Sequence, residues 1–195
     1  DTRLNINNTI SNLENFAILS PLSDNPRFPN YRTNLNKIKS KNKNIIEDVE
    51  EIDGYSMIIN KNYFADNIFF DEKFFMYLEN VDLCLRAKKN GGKLFIIPDS
   101  KIHHLGAQAV DEKYSEQIEL SRNWHWMWSK FYFNKKHRGI LISSLLGLIS
   151  LVGNFLKYLT YALTFKKKRN IYKMRMFGII NAILGKRAWF RPEIN

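Results

Sequence analysis

Apolar residues come in short runs through the first two thirds of the chain and in one long run in the last third. Ile6, Ile10, Leu13 and Phe16 recur three or four apart and predict a short amphipathic helix over 5–16. FAIL at 16–19 reads as a buried strand closed by Ser20 and Pro21. Residues 23–44 turn polar, with Pro26, Pro29, repeated Asn and a lysine run ending at Lys43, the composition of a long surface loop. Residues 47–51 are acidic and lead into Asp53 and Gly54, where glycine permits a tight turn or close approach of a ligand. A strand over 55–59 and a short helix or turn over 61–67 follow. Val81, Cys84, Leu85 and Lys88 then share one side of a helix over 81–89, with Asn80 as N-cap, Asp82 in the first turn and Gly91-Gly92 as the stop. A strand over 93–97, closed by Pro98, brings the chain to His103 and His104.

Residues 111–121 are polar and predict a helix. The next stretch, RNWHWMWSKFY, carries Trp124, Trp126 and Trp128. A basic cluster (Lys135, Lys136, His137, Arg138) precedes an apolar run over 139–165, and a second cluster over 166–169 closes it. A shorter apolar piece, 176–184, and an Arg-flanked Trp189-Phe190-Arg191 tail end the chain. Residues 139–156 hold no charge, which reaches the threshold for a membrane span. Ser143, Gly147, Ser150, Asn154, Lys157 and Tyr161, however, form one small-polar stripe, and both flanks are basic. These features favour a helix lying in the headgroup region, or a hairpin dipping into one leaflet, over a span. The plain alternative is a core helix of a soluble protein, or one packed on another chain.

Charge sharpens this division. The 195 residues suffice for one substantial core, or a domain with an appendage. Residues 1–123 hold 16 Lys and Arg against 18 Asp and Glu, while 124–195 hold 14 against Glu193 alone, so the net +11 belongs to the C-terminal third. We expect a near-neutral domain over 1–123 and a cationic helical appendage over 124–195. The basic charges bracket an apolar run and do not line a polar face, and no nucleic-acid-binding module surrounds them, which argues against a DNA or RNA partner. A single cysteine, Cys84, excludes an internal disulfide and fits a reducing compartment. The start at Asp1, with neither initiator Met nor leader, leads us to expect a fragment beginning inside a domain.

The densest chemistry lies in 70–106, FDEKFFMYLENVDLCLRAKKNGGKLFIIPDSKIHHLG. Asp71, Glu72, Glu79 and Asp82 sit there among aromatic and aliphatic residues, with His103 and His104. Carboxylates so placed need a metal, a hydroxyl-bearing or cationic substrate, or paired Arg and Lys. Together with DGYSMIINKNYF at 53–64, this stretch resembles the second half of the catalytic domain of family 2 glycosyltransferases, in particular the bacterial rhamnosyltransferase-like group. The shared features are a Gly-containing strand start, a Phe-Asp-Glu, a Tyr-x-Glu-Asp-x-Asp-Leu-x-x-Arg helix start and a downstream His-x-Gly, in that order. The resemblance covers about residues 1–110, and RNWHWMWSKFYFNKKH also suits the group's membrane-proximal extension.

The resemblance implies an α/β fold, the second half of a GT-A mixed sandwich, followed by a membrane-associated helical appendage. It implies a nucleotide-diphosphate-sugar donor, a surface-glycan or lipid-linked saccharide acceptor, an anionic membrane surface at the cytoplasmic face, and a divalent metal (Mn2+ or Mg2+). Asp1-Thr2 is similar to the end of the group's Asn-Pro-Asp-Thr metal motif, which would place the nucleotide-binding strands upstream. His104 matches the histidine that helps bind metal or diphosphate, so Asp1 and His104 are the expected metal ligands. Asp53 and Gly54 are expected to border the sugar or acceptor pocket, with Asn80 and Arg86 beside it, and Asp71 and Glu72 either border it too or pair with Lys73 and Arg86.

The implied reaction is inverting transfer, in which a carboxylate deprotonates the acceptor hydroxyl as it attacks the anomeric carbon. Here the sequence departs from the pattern, because the aspartate taken as base is replaced by Asn80, and an amide is no general base. Three readings stand open: Glu79 is the base, Asp82 is the base, or the chain is a non-catalytic membrane-docking relative. Against a catalytic role, Asp82 would serve the helix dipole and Glu79 would pair with Arg86.

Overall fold

The computed structural model describes residues 13–24, 31–32, 46–47, 49–64, 68–103 and 112–191. It is mixed α/β, and its contacts group into two units: Asp1–Asp71 with Asn80–Gly106, and Glu72–Glu79 with Ala107–Asn195. The sequence boundary at 123 followed charge. Packing instead draws the described residues 112–123 and the eight residues 72–79 into the helical unit.

The first unit is built on a small mixed sheet. Strands β1 (Phe16–Ser23), β3 (Ile46–Glu47), β5 (Ile58–Ile59) and β6 (Lys93–Ile102) lie in the order β3-β6-β1-β5, with β1 and β6 parallel and both outer pairings antiparallel. Strands β2 (Tyr31–Arg32) and β4 (Glu51–Ile52) form a separate antiparallel pair. Both long strands run past the prolines expected to close them. Pro21 lies beyond the two β1 residues that β5 pairs with, and Pro98 lies where the β1–β6 register jumps from Ile97 to Lys101. Neither site requires proline to donate to a ladder. The strand expected over 55–59 is reduced to Ile58–Ile59, because 53–56 turn. Residues 14–15 turn into β1 where the expected helix would end, and the rest of that helix lies outside the described residues, as does most of the expected 23–44 loop.

Helix α1 (Glu79–Lys89) lays Leu83, Cys84 and Ala87 against Ala17, Ile18, Val49, Ile52, Leu94 and Ile96, all buried. Each buried Leu, Ile or Val side chain among them contributes about 1.5–3 kcal/mol. Gly91, at φ +80°, stops the helix, and the Gly91 and Gly92 N–H groups donate to the carbonyls of Lys88 and Ala87. Asn60 ties the following 3-10 turn, Lys61–Tyr63, to β1 through a side-chain bond to the Phe16 carbonyl at 3.0 Å.

The second unit packs three helices, α2 (Ser115–Arg138), α3 (Ile140–Leu163) and α4 (Arg169–Ile183). Gly139, at φ +86°, is the sole residue between α2 and α3. Trp124, Trp128 and Phe131 are buried with Ala182, Ala188 and the partly buried Phe190. The tryptophan cluster is thus mostly a protein core. Only Trp126 of the three is exposed. At Gly178, a Cβ would overlap the Trp124 carbonyl, so α2 and α4 approach backbone to backbone. The tail after α4 is strapped to α2: the Trp128 indole donates to the Lys186 carbonyl at 3.0 Å, and His125 Nε2 donates to the Phe190 carbonyl at 2.7 Å.

Helix α3 inverts the usual polarity. Ser143, Gly147 and Asn154 from the small-polar stripe are buried, while eleven large apolar residues on the helix are exposed, Leu141 at 84% among them. The stripe packs on Phe131 and Ile179, the neighbours that a Cβ at Gly147 would meet. Ser143 and Asn154 satisfy their polar atoms by bonding back to the Ile140 and Ser150 carbonyls. In its apolar length α3 is long enough to cross a membrane, and little of it is buried within the protein.

Candidate functional site

In the first unit, the first turn of α1 meets the Ile52-Asp53-Gly54 turn. The Asn80 Nδ2 donates to the Ile52 carbonyl at 2.9 Å, and a Cβ at Gly54 would lie 3.4 Å from Asn80 Cβ. Asn80 therefore does not cap the helix, which begins one residue earlier at Glu79. Its amide ties the helix to the turn. Asp53 is half-buried and Gly54 exposed at this junction. The Ile52 N–H points at Cys84 Sγ, 3.4 Å away, and burial pushes the Cys84 thiol up to about 11. Tyr55, on the same turn, is raised above its ordinary value by burial and by the charges of Asp53 and Asp24, against a lowering bond from Ser23.

Asp82 is fully buried and accepts from Arg86 Nε at 2.9 Å, one helical turn on. The Arg86 guanidinium also donates to the carbonyls of Ile68 and Phe69 and lies over the Phe64 ring. Sequence reasoning offered Arg86 to Glu79. The helix instead presents it to Asp82 at i,i+4, a spacing that brings side chains onto one face. Asp71, also in this unit, is half-buried.

In the second unit, 72–79 is a segment held by α2 and the C-terminal tail. The Ser129 hydroxyl donates to the Met76 carbonyl at 2.7 Å. Phe74 meets Tyr132 edge-on at 4.9 Å, Tyr77 meets Trp126 at 5.6 Å, and Phe75 lies between the His125 ring, 4.7 Å away, and the Arg191 guanidinium, 3.3 Å above it. Glu72 is exposed. Tyr77 and Leu78 both adopt left-handed backbone, φ 70° and 67°, which costs a non-glycine residue about 1–2 kcal/mol. That consecutive strain is sustained by the surrounding contacts and turns the chain into Glu79.

Glu79 has a buried Oε2 with no hydrogen-bond partner among the described residues. The neighbouring Tyr77 hydroxyl is raised by burial, lowered by Arg122, and raised again by the Glu79 charge. Tyr77 and Arg122 were missed in the sequence. The signal for Tyr77 was its place two residues before the glutamate. Arg122 carried none, since only the fold brings α2 to this segment.

Asp1 and His104, the expected metal ligands, lie outside the described residues. His103 Nδ1 instead pairs with Asp24 at 2.9 Å on an exposed edge. Among the described residues no three His, Cys, Asp or Glu side chains converge on a metal-sized site, so they offer no donor set for the expected divalent ion. No family model, no curated protein and no solved structure matches the chain.

Proposed function

We propose that the chain is the acceptor-side portion of an inverting glycosyltransferase acting at the cytoplasmic face of a membrane, and that Glu79 is its base. The single observation that carries this is the contrast between the two candidate carboxylates. Asp82 is committed to Arg86, whereas Glu79 keeps a buried oxygen with no partner, at the end of a strained and tightly held segment. Such an oxygen can accept the proton of an acceptor hydroxyl as that hydroxyl attacks the anomeric carbon. The C1–O bond to the nucleotide diphosphate then breaks on the opposite face, and the diphosphate leaves with the bonding pair. Geometry at a functional site is a recurrent use of local strain. The divalent metal of the resemblance enters no step here, for want of a described donor set.

The test is sugar transfer by the complete protein, using nucleotide-diphosphate hexoses and a lipid-linked saccharide. Glu79→Gln should lower the rate about 10²–10⁴-fold, the usual contribution of a general base, with thermal stability kept. Full activity in that variant overturns the assignment. A second reading, a non-catalytic docking relative, is favoured by Asn80, whose amide serves the turn structurally. It requires that the parent protein transfer no sugar from any donor tried.

A further inference from the structure

We infer that α3 lies in the plane of one membrane leaflet, with Leu141, Leu145, Leu148, Val152, Phe155 and Leu159 turned into the acyl chains and both basic clusters at the same headgroup layer. These six residues recur at spacings of three and four, which gathers them on one side of the helix, opposite the buried Ser143, Gly147 and Asn154. Of the six, only the least exposed, Leu159, falls near 40%. An apolar face this long on a water-exposed helix needs an occupant.

Charge identifies that occupant as anionic lipid. The clusters before and after α3 are exposed, and residues 124–191 hold no acid at all. A second copy of the same surface would bring like clusters together, whereas acidic headgroups neutralise them. Packing then decides between lying and spanning. Helix α3 is packed against α2 and α4 through Gly147, which touches Phe131 and Ile179. A span would carry those helices into hydrocarbon with the exposed Lys130 and Lys173 on them, and with Lys157 on α3 itself. Charges in the hydrocarbon core are costly unless they are paired or reach an interface. Lying in the plane leaves all three at headgroup depth, and both ends of α3, about 36 Å apart at 1.5 Å per residue, meet the same surface.

The inference deepens the membrane part of the proposed function and does not depend on sugar transfer. In the test, the chain is diluted from detergent into preformed vesicles of phosphatidylcholine with a quarter phosphatidylglycerol, then floated on a density gradient. Flotation is expected, with an at least tenfold loss in Leu148→Glu/Val152→Glu, whose folding is checked by circular dichroism. In a Cys84→Ser background, Lys135→Cys and Lys167→Cys are labelled with a membrane-impermeant maleimide added outside. Labelling of both sites in floated protein supports the in-plane arrangement. Protection of one site until detergent is added overturns it in favour of a span, while leaving membrane association standing. Failure of the parent chain to float, or a dimer that excludes vesicles, overturns membrane docking altogether and leaves the sugar-transfer assay as the separate measure of enzymatic function.

Discussion

Arg86 donates from Nε to the fully buried Asp82 at 2.9 Å and uses its remaining nitrogens on the carbonyls of Ile68 and Phe69. One guanidinium thus neutralises a buried carboxylate and ties the chain before α1 to the helix. Arg86→Met would take the guanidinium from the buried Asp82, at a cost of about 3 kcal/mol, the low end for a broken buried pair because Arg86 is partly open to water. Urea denaturation measures this. Arg86→Lys should recover only part of the loss, since an ammonium cannot reproduce the guanidinium fork. A Met variant as stable as the parent would mean that the pair holds nothing.

Ser129 secures the other approach to Glu79 through the Met76 carbonyl. Ser129→Ala removes that bond and should cost about 1–2 kcal/mol. Hydrogen exchange should quicken in 72–79 and stay unchanged in β1. Uniform quickening in both would assign the effect to global stability.

Burial of Cys84 makes stability depend on alkaline pH. Its thiol titrates near 9.0 when unfolded and about 11 when folded, so between those values the unfolded chain loses a proton that the folded chain keeps. Stability therefore declines as pH rises from 9 to 11, by up to about 1.4 kcal/mol per pH unit from this group. The parent should show a steeper alkaline decline than Cys84→Ala. Parallel curves would remove Cys84 as the cause. At neutral pH the thiol should react with a disulfide reagent only at the rate of unfolding.

His125 works in the opposite direction. It is fully buried, with Nε2 on the Phe190 carbonyl and Nδ1 without a partner among the described residues, and burial, against the raising bond to Phe190 and aided by Arg191, lowers it below its ordinary value of 6.5. Below that pH the unfolded chain takes up a proton that the folded chain refuses, so stability is present at pH 7 and is lost on acidification. Thermal midpoints at pH 7 and pH 5 should differ more in the parent than in His125→Gln. Equal differences would show that another group sets the acid limb.

Helix α1, its glycine stop and the starts of β1 and β6 were legible because their apolar spacing and turn residues agree locally. The two prolines misled because their acceptability depends on which strand edge lacks a partner, a fact of sheet order. The role of Asn80 was hidden for a related reason. Asparagine before a helical run is a good cap, but here the helix begins at Glu79, so Asn80 lies inside it and its Nδ2 reaches the Ile52 carbonyl. The α3 stripe was legible as a stripe but not as the packed side, because periodicity gives the angle between two faces without saying which faces protein. In a helix whose apolar side has an apolar solvent, the small residues are the ones that pack. The Trp124–Trp128 pair shows the converse, since aromatic residues beside lysines serve a core as readily as an interface.

The chain passes between its two units at 71–72, 79–80 and 106–107. No single cut therefore releases either unit with all of its residues. A fragment ended at 106 would carry Phe74, Phe75 and Tyr77 with none of the side chains that now cover them, and a fragment begun at 107 would carry α2 with Ser129 and His125 stripped of their loop contacts. The helical part is thus not a detachable anchor. To graft it onto a different domain, eight residues from the middle of the chain would have to move with it.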